Sequence, residues 1–126
     1  MLADKDAMAT IAVKHLATAK AFYEGKLRLK KGSADEAGVA TYRSGSSTLV
    51  VYQSEFAGTN RATSATWALG PEFDAVMETL QGSGVGFEHY DMLGGKRKGD
   101  IHVFGSFKGA WFKDPDGNIL SLIEEG

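Results

Sequence analysis

Few residues of this chain are suited to acid–base or ligand chemistry. Its 126 residues include three histidines, His15, His89 and His102, and no cysteine. The missing thiol excludes a cysteine nucleophile, disulfides, iron–sulfur clusters and cysteine-ligated zinc. His89 and His102 flank a segment holding Tyr90, Asp91, Lys96-Arg97-Lys98 and Asp100. Imidazole titrates near neutrality, so such a cluster suits proton transfer, ligand binding or a metal. An antiparallel pairing centred near Gly95 and Lys96 would set His89 opposite His102 and Asp91 opposite Asp100. The same pair also reads as an exposed or hydrogen-bonded couple beside a loop. Lys96 to Lys98 reads as a solvated hairpin tip or as a contact for an anionic group. His15, at a helix start, reads as structural or merely exposed. Trp67, Trp111, Tyr42, Tyr52 and Phe112 are strand aromatics, mostly core, of which one or two can wall a pocket for a planar ligand. Gly82-Ser83-Gly84-Val85-Gly86 follows a helix instead of leading into one, so it lacks the context of a phosphate-binding loop.

These residues must be positioned by strands and two helices. Ala7 to Val13 ends in β-branched residues and predicts a strand. Leu16, Ala19, Phe22 or Tyr23, and Leu27 recur at helical spacing and predict a helix from about His15 to Leu27, weakly capped at its start. Val39 to Arg43 and Thr48 to Gln53, around Ser44-Gly45-Ser46-Ser47, predict a hairpin. Residues 54–63 read as a linker and Ser64 to Leu69 as a strand. Pro71 suits the first turn of a helix whose stripe is Phe73, Val76, Met77 and Leu80. Short strands are expected near Phe87 to Asp91 and Ile101 to Phe104. The last hairpin runs from Ala110 to Lys113, through Asp114-Pro115-Asp116-Gly117-Asn118, to Ile119 to Ile123.

Strand-then-helix occurs twice, and so does the hairpin. The chain therefore reads as one α+β domain, 1–126, built of two β-α-β-β-β modules: about 7–53 and 64–124, joined by the 54–63 linker. Neither module buries its sheet alone, so the two must pack together or on another chain. Hydrophobic residues are 43%, charged residues 24% and the net charge is −2, an ordinary globular composition. That charge gives no general attraction to nucleic acid or anionic membrane. No secretory signal and no membrane span is read, so a cytoplasmic protein is expected.

The tandem repeat, Phe22-Tyr23-Glu24 on the first helix and Asp114-Pro115-Asp116-Gly117-Asn118 before the last strand resemble the vicinal oxygen chelate superfamily. That group contains glyoxalase I, bleomycin-resistance proteins and extradiol dioxygenases. The resemblance implies a curved eight-stranded sheet with helices on its convex side and a pocket on its concave side. Alternation then places Ala9, Ile11, Val13, Ala65, Trp67 and Leu69 against helices, and Leu120 and Leu122 in the core. Met8, Thr10, Ala12, Ser64, Thr66 and Ala68 should face the pocket, with Ile119, Ser121 and Ile123. Metal-dependent members of the superfamily carry ligands at positions that fall here at Met8, Val51, Ser64 and Ser121. None of these is a good donor, and Gln53 alone is insufficient, so the resemblance carries no metal site over to this chain.

The expected function is cofactor-free binding of a small, partly apolar organic ligand in that pocket, as in the bleomycin-resistance branch, by a homodimer. The candidate ligand-contacting residues are Thr10, Val51, Gln53, Thr66, His89, His102, Trp111 and Ser121. The alternative is an enzyme, with noncanonical metal ligands or with His89 or His102 as an acid–base group. A third reading is an interaction protein whose pocket is vestigial.

Overall fold

Alternating burial along the strands separates a helix-covered face from an open one. In a computed structural model, residues 1–91, 95–105 and 107–124 are described, with backbone alone at 33–36 and 107. The first module holds β1 (Ala9–Val13), α1 (Leu16–Lys20), β2 (Lys30–Glu36), β3 (Val39–Ser44) and β4 (Ser47–Gln53). The second holds β5 (Thr63–Ala68), α2 (Phe73–Gly82), β6 (Phe87–Glu88), β7 (Lys96–Lys98), β8 (Ile101–Phe104), β9 (Phe107–Lys113) and β10 (Ile119–Ile123). The strands run β1-β4-β3-β2 in one sheet and β5-β10-β9-β8-β7 in the other, with β6 also paired to β9. In both sheets the first strand lies parallel to the last and the last antiparallel to the one before it. Ten strands among the described residues, in two hydrogen-bonded sheets, replace the single eight-stranded sheet expected. The sheets meet where β1 and β5 run close together without a shared ladder.

The helices form where the apolar spacing required them. α1 widens into a π-helical turn over Ala21–Lys26, in which the consecutive aromatics Phe22 and Tyr23 are both buried. His15 precedes α1 without a side-chain cap. α2 follows a 3₁₀ turn at Gly70–Glu72 that takes in Pro71, and it buries Phe73, Met77 and Leu80. Under these helices lie Ile11, Val13, Ala40, Tyr42, Leu49, Val51, Ala110, Phe112, Leu120 and Leu122. Among the described residues no helix is long and apolar enough to cross a membrane.

Two expectations about pairing change. β6 pairs with β9, not β8, and β8 instead takes β7 as partner, with Arg97 opposite His102. Lys96 to Lys98 is therefore an edge strand and not a hairpin tip, and its three side chains are exposed. Positive charge on an outer strand discourages further edge pairing. The part of this insertion at 92–94 lies outside the described residues. The second strand of the first module is β2, whose charged, glycine-containing sequence gave no strand signal.

A buried carboxylate ties the modules together. Asp114 opens the turn between β9 and β10 and is 5% exposed. Its Oδ1 accepts the N–H groups of Asp116 at 3.0 Å and Asn118 at 2.8 Å. Its Oδ2 accepts the Tyr23 hydroxyl and the Asn118 side-chain amide, each at 2.8 Å. The Asn118 amide also donates to the Ala12 carbonyl of β1 at 2.7 Å, and the Lys14 N–H donates to Asp116 Oδ2 at 3.2 Å. Gly117 completes the turn at φ 90°, in the left-handed region. Gly58 of the linker packs so close that a Cβ there would collide with the Asp116 carbonyl oxygen. Burial, then the charge of Asp114, holds the Tyr23 phenol protonated well above its ordinary range. Asp114→Ala strands at least two buried donors, so it should cost roughly 3–5 kcal/mol in denaturant unfolding, at about 1–3 kcal/mol for each donor left unpaired plus lost hydrogen bonds. Tyr23→Phe, which removes one hydrogen bond to a charged group, should cost about 1.5–3 kcal/mol. Equal losses for the two variants would contradict this arrangement.

Candidate functional site

Strand register assembles a row of side chains on the open face of the second sheet. Thr66 of β5 lies opposite Ser121 of β10, and Ser121 lies opposite Trp111 of β9. Two residues back along β9, Gly109 pairs with His102 of β8. Glycine there leaves the space beside His102 and Trp111 free of a side chain. Thr66 Oγ1 and Ser121 Oγ are hydrogen-bonded at 2.6 Å. At the other end His102 meets the edge of Trp111, with ring centroids 5.0 Å apart and planes at 86°. Phe104 stacks near His102 at 6.2 Å and Tyr90 packs edge-on to Trp111 at 5.5 Å. Glu88, opposite Trp111, pairs with Lys113 at 3.5 Å on the rim.

His102 is the unusual member, 3% exposed in an aromatic surround. Its Nε2 accepts the Tyr90 N–H at 2.9 Å. A ring nitrogen that accepts cannot carry the proton, so the neutral imidazole holds it on Nδ1. Among the described residues that Nδ1 has no hydrogen-bond partner, and neither has the buried Tyr90 hydroxyl. Burial, then the charges of His89 and Arg97, lowers the His102 pKa. Burial, then Glu88, raises that of Tyr90, which stays a phenol.

Beside this cluster of rings, His89 Nε2 donates to Asp100 Oδ1 at 2.8 Å, and Gln81 Nε2 donates to Asp100 Oδ2 at 3.0 Å. The His89 bond, aided by Gln81 and opposed by partial burial, holds the Asp100 carboxyl below its ordinary range. The His89 and His102 rings lie 6.5 Å apart. They are neighbours, although not across a ladder as the sequence suggested. Asp91 pairs with Arg97 at 3.0 Å and not with the Asp100 region.

Four of the eight candidate residues share this face: Thr66, Ser121, Trp111 and His102. His89 lies just past β6, beside the His102 ring and joined through Asp100 to Gln81 of α2. Thr10 is on the open side of β1 but in the other sheet, opposite Val50. Val51 is a correction. It is 1% exposed in the helix-side core opposite Ile11, so it contacts no open-face ligand. The cause is turn length. In the first hairpin Tyr42 pairs with Leu49, whereas in the second Phe112 pairs with Leu120. The second turn is one residue longer, and a one-residue slip exchanges the faces. The counterpart of Ser121 is thus Val50. Gln53, opposite Val13 at the end of β4, donates its side-chain amide to the Lys14 carbonyl at 3.1 Å and lies away from the row. Sequence reasoning did not place Phe104, Gln81 or the Tyr90 backbone in the site. Only the aromatic alternation of β8 and β9 could have suggested Phe104.

The metal that such a fold implies does not fit these residues. Val50 offers hydrocarbon, Met8 a thioether, and Ser64 and Ser121 hydroxyls, with Ser121 already bonded to Thr66. Among the described residues no group of three or more His, Asp or Glu could hold a metal ion. A cleft of about 400 Å³, partly walled by Ala9, Thr48, Ala65, Thr66 and Ala68, opens beside Thr66 where the sheets meet.

The His102 geometry has a pH consequence. The folded protein binds the His102 proton more weakly than the unfolded chain does. Its contribution is neutral above the unfolded value of about 6.5 and becomes destabilising as pH falls below it. Wild-type stability should therefore drop more between pH 7.5 and 5.5 than that of His102→Phe. Long-range ¹⁵N spectra should show the Nδ1–H tautomer, and an Nε2–H form would contradict the Tyr90 hydrogen bond.

No family model matches this sequence, and no curated protein matches it. Solved structures do. The monoclinic form of FosX, the fosfomycin resistance protein of Listeria monocytogenes, superposes with a TM-score of 0.73 at 15% identity, covering 100% of this chain and 94% of that one. Lactoylglutathione lyase from Agrobacterium tumefaciens gives 0.70 at 14% identity, covering 97% and 93%. A glyoxalase/dioxygenase from Nostoc punctiforme gives 0.68 at 15% identity, covering 94% and 89%. At these identities the likeness is one of fold. The repeat and the Asp114–Asn118 turn are accordingly features of a chain that has the vicinal oxygen chelate fold.

Proposed function

We propose that this protein binds a small, partly apolar organic molecule at the open face of its second module, without a metal. The observation that carries this reading is the buried, unpartnered Nδ1–H of His102. A buried donor without an acceptor costs about 1–3 kcal/mol. A ligand carbonyl, ether or other acceptor would recover that cost. Trp111, Phe104 and Tyr90 surround the ring and offer faces and edges to an apolar or planar body. With Nε2 accepting the Tyr90 N–H and burial disfavouring its charged form, the His102 imidazole suits an uncharged acceptor better than an anion. One FosX structure is described as a complex with Mn(II) and a dihydroxypropylphosphonic acid. Among the described residues no group of three or more His, Asp or Glu could hold a metal ion, so our reading stays with the sequestering, bleomycin-resistance-like branch. A homodimer, expected from the modular sheets, belongs to the same proposal and is tested by sedimentation.

One observation favours a second reading. Asp100 accepts from His89 at 2.8 Å, which orients an imidazole 6.5 Å from the His102 ring. Such a couple can act as a general base toward a ligand seated beside His102. Turnover of a bound molecule that is lost in His89→Gln, with binding kept, would select this reading.

The test is a thermal-shift screen of uncharged aromatic carbonyl compounds, run with chelator present. Hits should raise Tm in the absence of metal. His102→Ala should fold and weaken a hit by about 0.5–1.5 kcal/mol, roughly a two- to tenfold rise in Kd. Unchanged affinity in the folded variant, or stabilisation that requires added Zn²⁺ or Mn²⁺, would overturn the proposal.

A further inference from the structure

A second cavity lies on the helix side of the sheets, away from His102. It has a volume of about 160 Å³. Its floor is the buried Leu80 of α2, Phe112 of β9 and Leu122 of β10. Its rim is formed by the half-buried Leu29, Trp67 and Val76. Residues from both modules therefore meet around it. Ser44 supplies the one polar side chain of the wall apart from the Trp67 indole N–H, and the two groups satisfy each other: Trp67 Nε1 donates to Ser44 Oγ at 2.7 Å. Among the described residues no ionisable side chain lines the cavity.

The pocket opens to solvent at its rim, but its wall offers water almost no polar partner, so water there is weakly held and readily displaced. An empty cavity forgoes the dispersion contacts that close packing would supply. Apolar cavities of about 150 Å³ walled by Leu, Ile and Phe stay dry and accept benzene-sized molecules. The rim side chains are only half-buried, so entry does not require the core to open. Trp67, held in place by Ser44, gives a rigid flat wall of the kind that suits a ring.

We propose that this inter-module cavity is a binding site for a small uncharged hydrocarbon or monocyclic aromatic, separate from the His102 site. It binds by shape and apolar contact, and it excludes charged or strongly polar molecules because no partner for them lines the wall. Occupation bridges the two modules, so it stabilises their packing.

Toluene is the probe. Saturating toluene should raise the wild-type Tm by about 3–6 °C. It should also shift the Leu80 and Leu122 methyl resonances. Val76→Phe and Leu29→Phe each place a ring in the cavity and should at least halve the toluene shift. His102→Ala should leave it intact, which keeps this site distinguishable from the open-face one. No Tm shift in wild type, or unmoved Leu80 and Leu122 methyls, would overturn the proposal. So would a toluene shift that persists in both filling variants or disappears in His102→Ala.

Discussion

The Asp114 carboxylate is the constraint on which the rest of the molecule depends. It gathers the β9–β10 turn, the Tyr23 hydroxyl and the Asn118 amide into one buried cluster. Asn118 extends the cluster to the Ala12 carbonyl of β1. A buried carboxylate is tolerated only when its oxygens are fully hydrogen-bonded, and here four donors meet that demand. The cluster therefore forms only when both modules are docked. It also fixes one end of the hairpin that carries Trp111 and Ser121. Docking of the modules and register of the open face are thus set by the same interactions.

From that anchored hairpin the site follows by strand geometry. Pairing carries the open face from Thr66 through Ser121 and Trp111 toward His102. β6 and β8 flank β9 as β2 flanks β3 in the first module, and β7 is a further outer strand that the first module lacks. His102 of β8 is buried among Tyr90, Phe104 and Trp111, and its Nδ1 has no hydrogen-bond partner among the described residues. The open face of the second sheet thus carries a buried imidazole and aromatic side chains beside the Thr66–Ser121 hydroxyl pair.

Much of the fold was legible in the sequence because its strongest signals are local. The Phe73, Val76, Met77 and Leu80 stripe and the Asp114-Pro115-Asp116-Gly117-Asn118 turn depend on residues close in sequence. β2 was not legible, because its edge position lets it form from lysines, glycine and acidic residues paired on one side only. The Val51 error came from one residue of turn length, which no propensity records but which reverses every side chain beyond it. The partner of β6 was equally hidden, since β9 is long enough to pair with β6 at one end and β8 at the other. His102 and Trp111 could be named from type and strand alternation. Their contact, the Tyr90 hydrogen bond and the Asp100–His89 couple depend on long-range register and were not.

The His102 Nδ1–H has no partner among the described residues, and the ligand we propose would supply its acceptor. A crystal structure of the protein soaked with 4-methoxyacetophenone, an uncharged aromatic carbonyl compound, tests this proposal most directly. Density for that molecule is expected against Trp111, with its oxygen within about 3.2 Å of His102 Nδ1. Density elsewhere, or a protein group already bonded to Nδ1, would contradict it.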